Sequence, residues 1–179
     1  IDLQSMSPAM VDRLFWRAGF GPTEQDRAAW TGRPVADAVA WMLSTPSGVS
    51  GSPGTREGKP FDPTADDTDL VLAWVDRMVR STNPFVERLT FFWHRHWANS
   101  REQVSPPQLM LQQNDLFRRY SDFGPNAGAT FRDLAREVTV NPSMLRYLTG
   151  EYNVRGAPNE NYARELMELF GLGVTDASG

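Results

Sequence analysis

The sequence predicts an all-α fold: an irregular multi-helix domain of about eight helices, interrupted by a long Gly/Ser/Pro-rich loop. Three observations carry that expectation. Apolar residues recur three and four apart in one segment after another, and no stretch alternates with period two for long enough to make a strand. Helix-opening signals repeat, either a small polar residue followed by proline or a Thr-x-x-Asp capping box. The stretch that lacks apolar periodicity, residues 44–65, is dense in Ser, Gly and Pro.

Ser7-Pro8 supplies an N-cap and a first helical position. Met10, Val11, Leu14, Phe15 and Ala18 follow at helical spacing, and Gly19, Gly21 and Pro22 end the run. Thr23-x-x-Asp26 opens a second, short helix that stops near Gly32. Pro34 opens a third, carrying Val35, Val39, Met42 and Leu43. Residues 44–65 then read as a flexible surface loop. A domain boundary there is the rival reading, but the preceding helices are too few to bury a core of their own. Asp66–Arg80 is a strong helix whose broad apolar face holds Leu70, Val71, Trp74, Val75, Met78 and Val79. Asn83-Pro84 opens the helix that bears the histidines. Ser105-Pro106-Pro107 opens the next, with Met110, Gln113, Leu116 and Phe117. Thr130-x-x-Asp133 caps a helix bearing Phe131, Leu134 and Val138, and Asn141-Pro142 starts a short one. The last helix runs Glu160–Phe170 and is closed by Gly171 and Gly173.

Composition sets bounds. The chain has 179 residues, 40% of them hydrophobic and 22% charged, which suits one globular domain. A net charge of −4 gives no general attraction to nucleic acid or anionic membrane. There is no cysteine, which excludes disulfides and thiolate metal sites. No apolar run approaches the ~20 residues of a membrane span. The opening IDLQSMSPAM lacks the basic and apolar regions of a signal peptide, and a signal already removed would leave the same picture.

The chain's two histidines, His94 and His96, both lie in Phe91–Ser100, FFWHRHWANS. On a wheel at about 100° per residue, His96 falls among Phe85, Leu89 and Phe92, in an aromatic face. His94 falls on the side of Glu87 and Phe91. An i,i+2 pair on a continuous helix diverges, so the two cannot chelate one ion unless the helix breaks. One histidine then serves a site and the other a structural bond. For His96 the plain reading is a core histidine bonded to a backbone carbonyl or a buried carboxylate. The last helix puts Tyr162, Leu166, Met167 and Phe170 on one side. Glu160, Asn161, Arg164, Glu165 and Glu168 occupy the other. Those carboxylates could hold a hard or borderline cation with a histidine from elsewhere, or form an acid/base pair. The plain alternative is a solvated face with an Arg164–Glu168 pair. No P-loop, dinucleotide fingerprint, G-x-S-x-G elbow or Glu-x-x-His motif is present.

PNENYARELMELFGLGV at Pro158–Val174 resembles the signature of a large bacterial family, DUF1800. RLFWRAGFGPT at Arg13–Thr23 is similar to that family's opening segment. FFWHRHWANS resembles its Trp-His-x-His block, and NPSMLRYL at Asn141–Leu148 its short helix before the signature. Arg95 stands where that block usually carries Asn, and Thr149 where an acidic residue is usual. The resemblance implies a mostly helical protein of several hundred residues, exported from the cytoplasm and encoded beside another secreted protein. It implies that this chain is the N-terminal part of one helical domain, whose remainder is missing or is a separate chain.

The leading functional expectation is an extracytoplasmic hydrolytic enzyme, with or without a divalent metal ion. His94 or His96 would be ligand or general base, and Glu165 or Glu168 ligand or acid, beside Arg164. A metal would sit on His96 and Glu165. The alternative is a non-catalytic secreted binding or assembly protein in which the same cluster is structural. Geometry separates the two. An enzyme needs imidazole and carboxylate converging on an open pocket, whereas a structural network closes the same groups on one another.

Overall fold

Local cap chemistry sets where each helix begins. In the computed structural model, which describes residues 5–125, 128–171 and 173, Ser7 Oγ accepts from the Met10 amide and starts α1, Pro8–Ala18. The Thr23–Asp26 capping box starts α2, Glu24–Trp30. α3 spans Val35–Ser44. Asp66 caps α4, Asp67–Arg80, and Asn83 caps α5, Pro84–His96. α6 is Pro107–Ser121. A second capping box, Thr130 with Asp133, starts α7, Phe131–Thr139. Asn141 starts α8, Pro142–Tyr147, and α9 is Asn161–Glu168. The fold is all-α. The last helix stops two residues short of the sequence reading.

The loop at 44–65 contains one small departure. Thr55–Arg56 (β1) pairs antiparallel with Lys59–Pro60 (β2). Glu57 and Gly58 between them both have positive φ, 53° and 76°, as a two-residue hairpin turn requires. Two residues per strand are too few to show alternation in a sequence. The loop lies along α4. The Gly54 amide donates to Asp76 at 2.8 Å, and Arg56 reaches Asp66 at 2.7 Å and Asp69 at 2.8 Å.

Two apolar clusters form the core. One gathers Met6, Val11, Phe15, Trp30, Ala38 and Met42 from the first three helices and the strand of chain before them. The other is built on Trp97, Phe117, Leu134, Val138, Met144 and Phe170. α5 touches both, with Phe85 against the first and Trp93 against the second. Asn83 links the halves further. Its Oδ1 accepts from the Phe85 amide, while its Nδ2 donates to the carbonyls of Met42 (2.8 Å) and Thr45 (2.6 Å). One side chain thus caps the start of α5 and the end of α3. Beyond α5, Asn99 Nδ2 donates to Gln113 Oε1 and Ser143 Oγ, fastening the chain to α6 and α8.

Not every apolar stripe is covered. Val71, Val75 and Val79 of α4 are exposed, Val79 at 80%. The periodic face of α4 is broader than the part of it that neighbouring elements cover. On α9, Tyr162 and Leu166 pack on the second cluster and Met167 faces outward; just past the helix, Leu169 faces outward and Phe170 is buried in that cluster.

Candidate functional site

Glu87 and His94 are seven residues apart on α5, so they fall within about 20° of each other on the helix wheel. That shared face looks toward α4 and α6. Glu87 is completely buried. Its Oε1 accepts from Arg77 Nε of α4 at 2.7 Å and from Arg118 Nε of α6 at 2.7 Å. Its Oε2 accepts from Trp74 Nε1 at 3.2 Å and from Arg118 Nη2 at 3.3 Å. Both oxygens are therefore satisfied, as a buried carboxylate requires. Arg118 also pairs with Asp115 at 2.6 Å and donates to Asn114 Oδ1, so the two cations around Glu87 are offset by two carboxylates.

The His94 ring packs against Trp74 at 4.8 Å between centroids, and its neighbour on α6 is Phe117, met edge-on at 5.5 Å. Burial pushes its pKa down to about 4, and the Arg118 charge pushes the same way. The imidazole is accordingly neutral at neutral pH. It lines a cleft of about 450 Å³ bounded by α4, α6 and the loop at 44–65. That volume suits a small organic ligand. Phe61, Leu70, Trp74, Met110 and Leu111 give it apolar walls, and Arg77, Arg80, Arg101 and Arg118 enter from its edges.

His96 lies on the opposite face and is half-buried among aromatic rings. Its Nε2 is 3.0 Å from the Phe170 carbonyl. A carbonyl can only accept, so Nε2 carries the proton. Phe92 stacks on the ring, and Trp97, Trp93, Phe131 and Phe170 surround it with centroids 4.8–6.4 Å away. His96 therefore ties the end of α5 to the turn that follows α9.

The charged side of α9 engages its own surroundings. Arg164 donates to Asn161 Oδ1 at 3.0 Å and reaches Glu165 at 3.5 Å, rather than Glu168. Glu165 and Glu168 are half-buried, and Glu160 is exposed. Asn159 Oδ1 accepts from the Asn161 amide, and Asn159 Nδ2 donates to the Thr149 carbonyl and hydroxyl at 2.8 Å each. Asn161 Nδ2 donates to the Leu148 carbonyl. The His94 cleft has no lining residue from α9. His96 reaches this region through the Phe170 carbonyl, with no bond to Glu165 or Glu168 among the described residues. No three His, Asp or Glu side chains gather as a metal ion would need, again among the described residues.

Arg77, Arg118 and Asn114 were not singled out from the sequence, while Trp74 was read only as part of an apolar helix face and Glu87 only as sharing the side of His94. One signal was available for Glu87. It is the only carboxylate of α5, and it shares that histidine's helix face.

No curated protein and no solved structure matches the chain. A family model described as "Protein of unknown function (DUF1800)" matches residues 13–177, which include α5, α6 and α9. The chain belongs to the DUF1800 family.

Proposed function

We propose that this chain is a ligand-binding helical domain and that the His94 cleft is its working site. The cleft itself carries the reading: about 450 Å³ of apolar-walled space, held open by helices that Glu87 clamps together. The test is titration of the full-length protein with a neutral apolar dye such as Nile red. Leu111→Trp, which fills the cleft, is the control. Saturable binding that disappears in Leu111→Trp, with thermal unfolding little changed, is the expected result. Dye binding that is absent from the wild type, or equal in both proteins, sinks the proposal.

A second reading, hydrolysis, is favoured by the neutral His94 ring on the cleft wall. There it would take a proton from water attacking a bound carbonyl compound. Its weak basicity keeps it unprotonated and available at any pH above about 4. Hydrolysis of p-nitrophenyl esters that falls about 100-fold in His94→Ala is the expected outcome. Equal rates in the two proteins rule it out. The metal-dependent variant on His96 and Glu165 has less support, because His96 Nε2 is already engaged by a carbonyl. Elemental analysis of the wild type beside His96→Ala and Glu165→Ala tests it; metal absent from the wild type ends it.

Family resemblance supports an extracytoplasmic location and two partners, the remainder of the same protein and a second secreted protein. Fractionation of the producing cells tests the first of these. A pool confined to the cytosol would overturn it.

A further inference from the structure

Around the His94 cleft each arginine has a carboxylate: Arg77 and Arg118 meet Glu87, Arg80 meets Asp76, and Arg101 meets Asp67. A hollow beside α6 and α7 likewise holds Arg119 paired with Glu137. A groove of about 460 Å³ between α1 and the start of α3 differs from both. Met6, Met10, Leu14 and Val35 give it an apolar lining, and Arg13 and Arg17 stand with them. Both arginines are exposed, and neither has an ion pair or a side-chain hydrogen bond among the described residues. The carboxylates of the two helices are taken. Asp12 of α1 binds Arg27 at 2.6 Å, and Asp37 of α3 faces Arg33 at 3.7 Å. Arg13 and Arg17 are one helical turn apart, where like charges repel. Arg17, in the last turn, gains from the helix dipole; Arg13, in the middle of α1, does not. The helix thus carries a basic edge that its own stability does not call for. The apolar surface continues past the groove, because Met10 is exposed, as are Val39 and Leu43, one and two turns beyond Val35 on α3.

From this combination we infer that the α1–α3 groove docks an acidic amphipathic helix of a partner protein. Its apolar stripe lies on Met10, Leu14 and Val35, and its carboxylates accept from Arg13 and Arg17. Charge selects the occupant: two unmatched guanidinium groups beside apolar surface fit a segment that alternates carboxylates with apolar anchors. Shape selects it too. An open groove leaves much of a small molecule in water, whereas sites for small ligands enclose them. A helix laid lengthwise buries one stripe and keeps the rest solvated, with anchors at i, i+4 and i+7. From Met10 to Arg17, α1 rises about 10 Å, enough for two turns of such a helix. Methionine side chains are unbranched and adapt to the partner's anchors. The groove shares no lining residue with the His94 cleft, so the inference stands apart from the ligand-binding reading.

The test is fluorescence anisotropy of the full-length protein with two dye-labelled helical peptides. Both carry leucine at i, i+4 and i+7; one has glutamate at the flanking positions and the other lysine. The glutamate peptide should bind about tenfold tighter than the lysine peptide at low ionic strength, and added salt should narrow the difference. The chain's net charge of −4 favours the opposite order, so this preference has to come from the local basic edge. Replacing both arginines, Arg13→Gln with Arg17→Gln, should abolish the preference while circular dichroism and unfolding temperature stay unchanged, since both side chains are exposed. Met10→Gln should weaken both peptides together. Equal binding of the two peptides, no binding of either, or a glutamate preference that survives the double arginine variant overturns the inference. So does sedimentation with phosphatidylglycerol vesicles that the double variant loses, if the glutamate peptide does not bind; the groove would then face a membrane.

Discussion

On the His94 side of α5, a buried carboxylate and two arginines hold three helices around an open cleft. On the His96 side, five aromatic rings and one backbone carbonyl pack against the imidazole. Two residues of helix separate these environments, because two steps turn the side chain by about 200°. The contrast shows how charge keeps a cavity from collapsing. Aromatic side chains interdigitate until the gaps are gone. An ion cluster fixes its members by direction and distance, so apolar neighbours cannot slide inward without breaking a charged hydrogen bond. The polar clamp and the cavity lie on one face of α5, and His94 lines that cavity.

The strongest way to break this contrast is Glu87→Ala. It leaves Arg77 and Arg118 facing a void, and the expected loss is about 3–5 kcal/mol by urea denaturation. A loss under about 1 kcal/mol would mean that the clamp does not hold α4 and α6 to α5. Next is acid stability. The folded His94 pKa of about 4 lies below the ordinary 6.5, so the unfolded chain takes up this proton first as the pH falls. Stability from this group is complete above about pH 6.5 and is lost progressively down to about pH 4. The full swing is on the order of 3 kcal/mol. His94→Gln should remove that share of the acid slope. An unchanged slope would place the ring in contact with water. The smallest effect tests the closed face. His96→Phe keeps an aromatic ring but strands the Phe170 carbonyl, for an expected loss of about 1–2 kcal/mol. Ligand binding in the His94 cleft should not change, and a change would show the two faces to be coupled.

Helix starts were legible because their chemistry is local. Ser7, Thr23, Asp66, Asn83, Thr130 and Asn141 each bond an amide two or three residues ahead. The divergence of His94 and His96 was legible for the same reason, being set by helix pitch alone. The partners of Glu87 were not. Arg118 lies 31 residues further along, and nothing in either segment marks that particular pairing. The Phe170 carbonyl that meets His96 is 74 residues away and is a backbone group, so no side-chain pattern could have named it. The exposed valines of α4 mislead in the other direction. Periodicity reports which residues could be buried together, and only neighbouring elements decide which are.

Asn83 has a kinetic meaning. Because one amide group holds the last carbonyls of α3 and the first free amide of α5, fraying of either helix end exposes the other. Local opening at this joint is then shared between the two cores, and amide protons on both sides should exchange with solvent deuterium as one cooperative unit rather than as two.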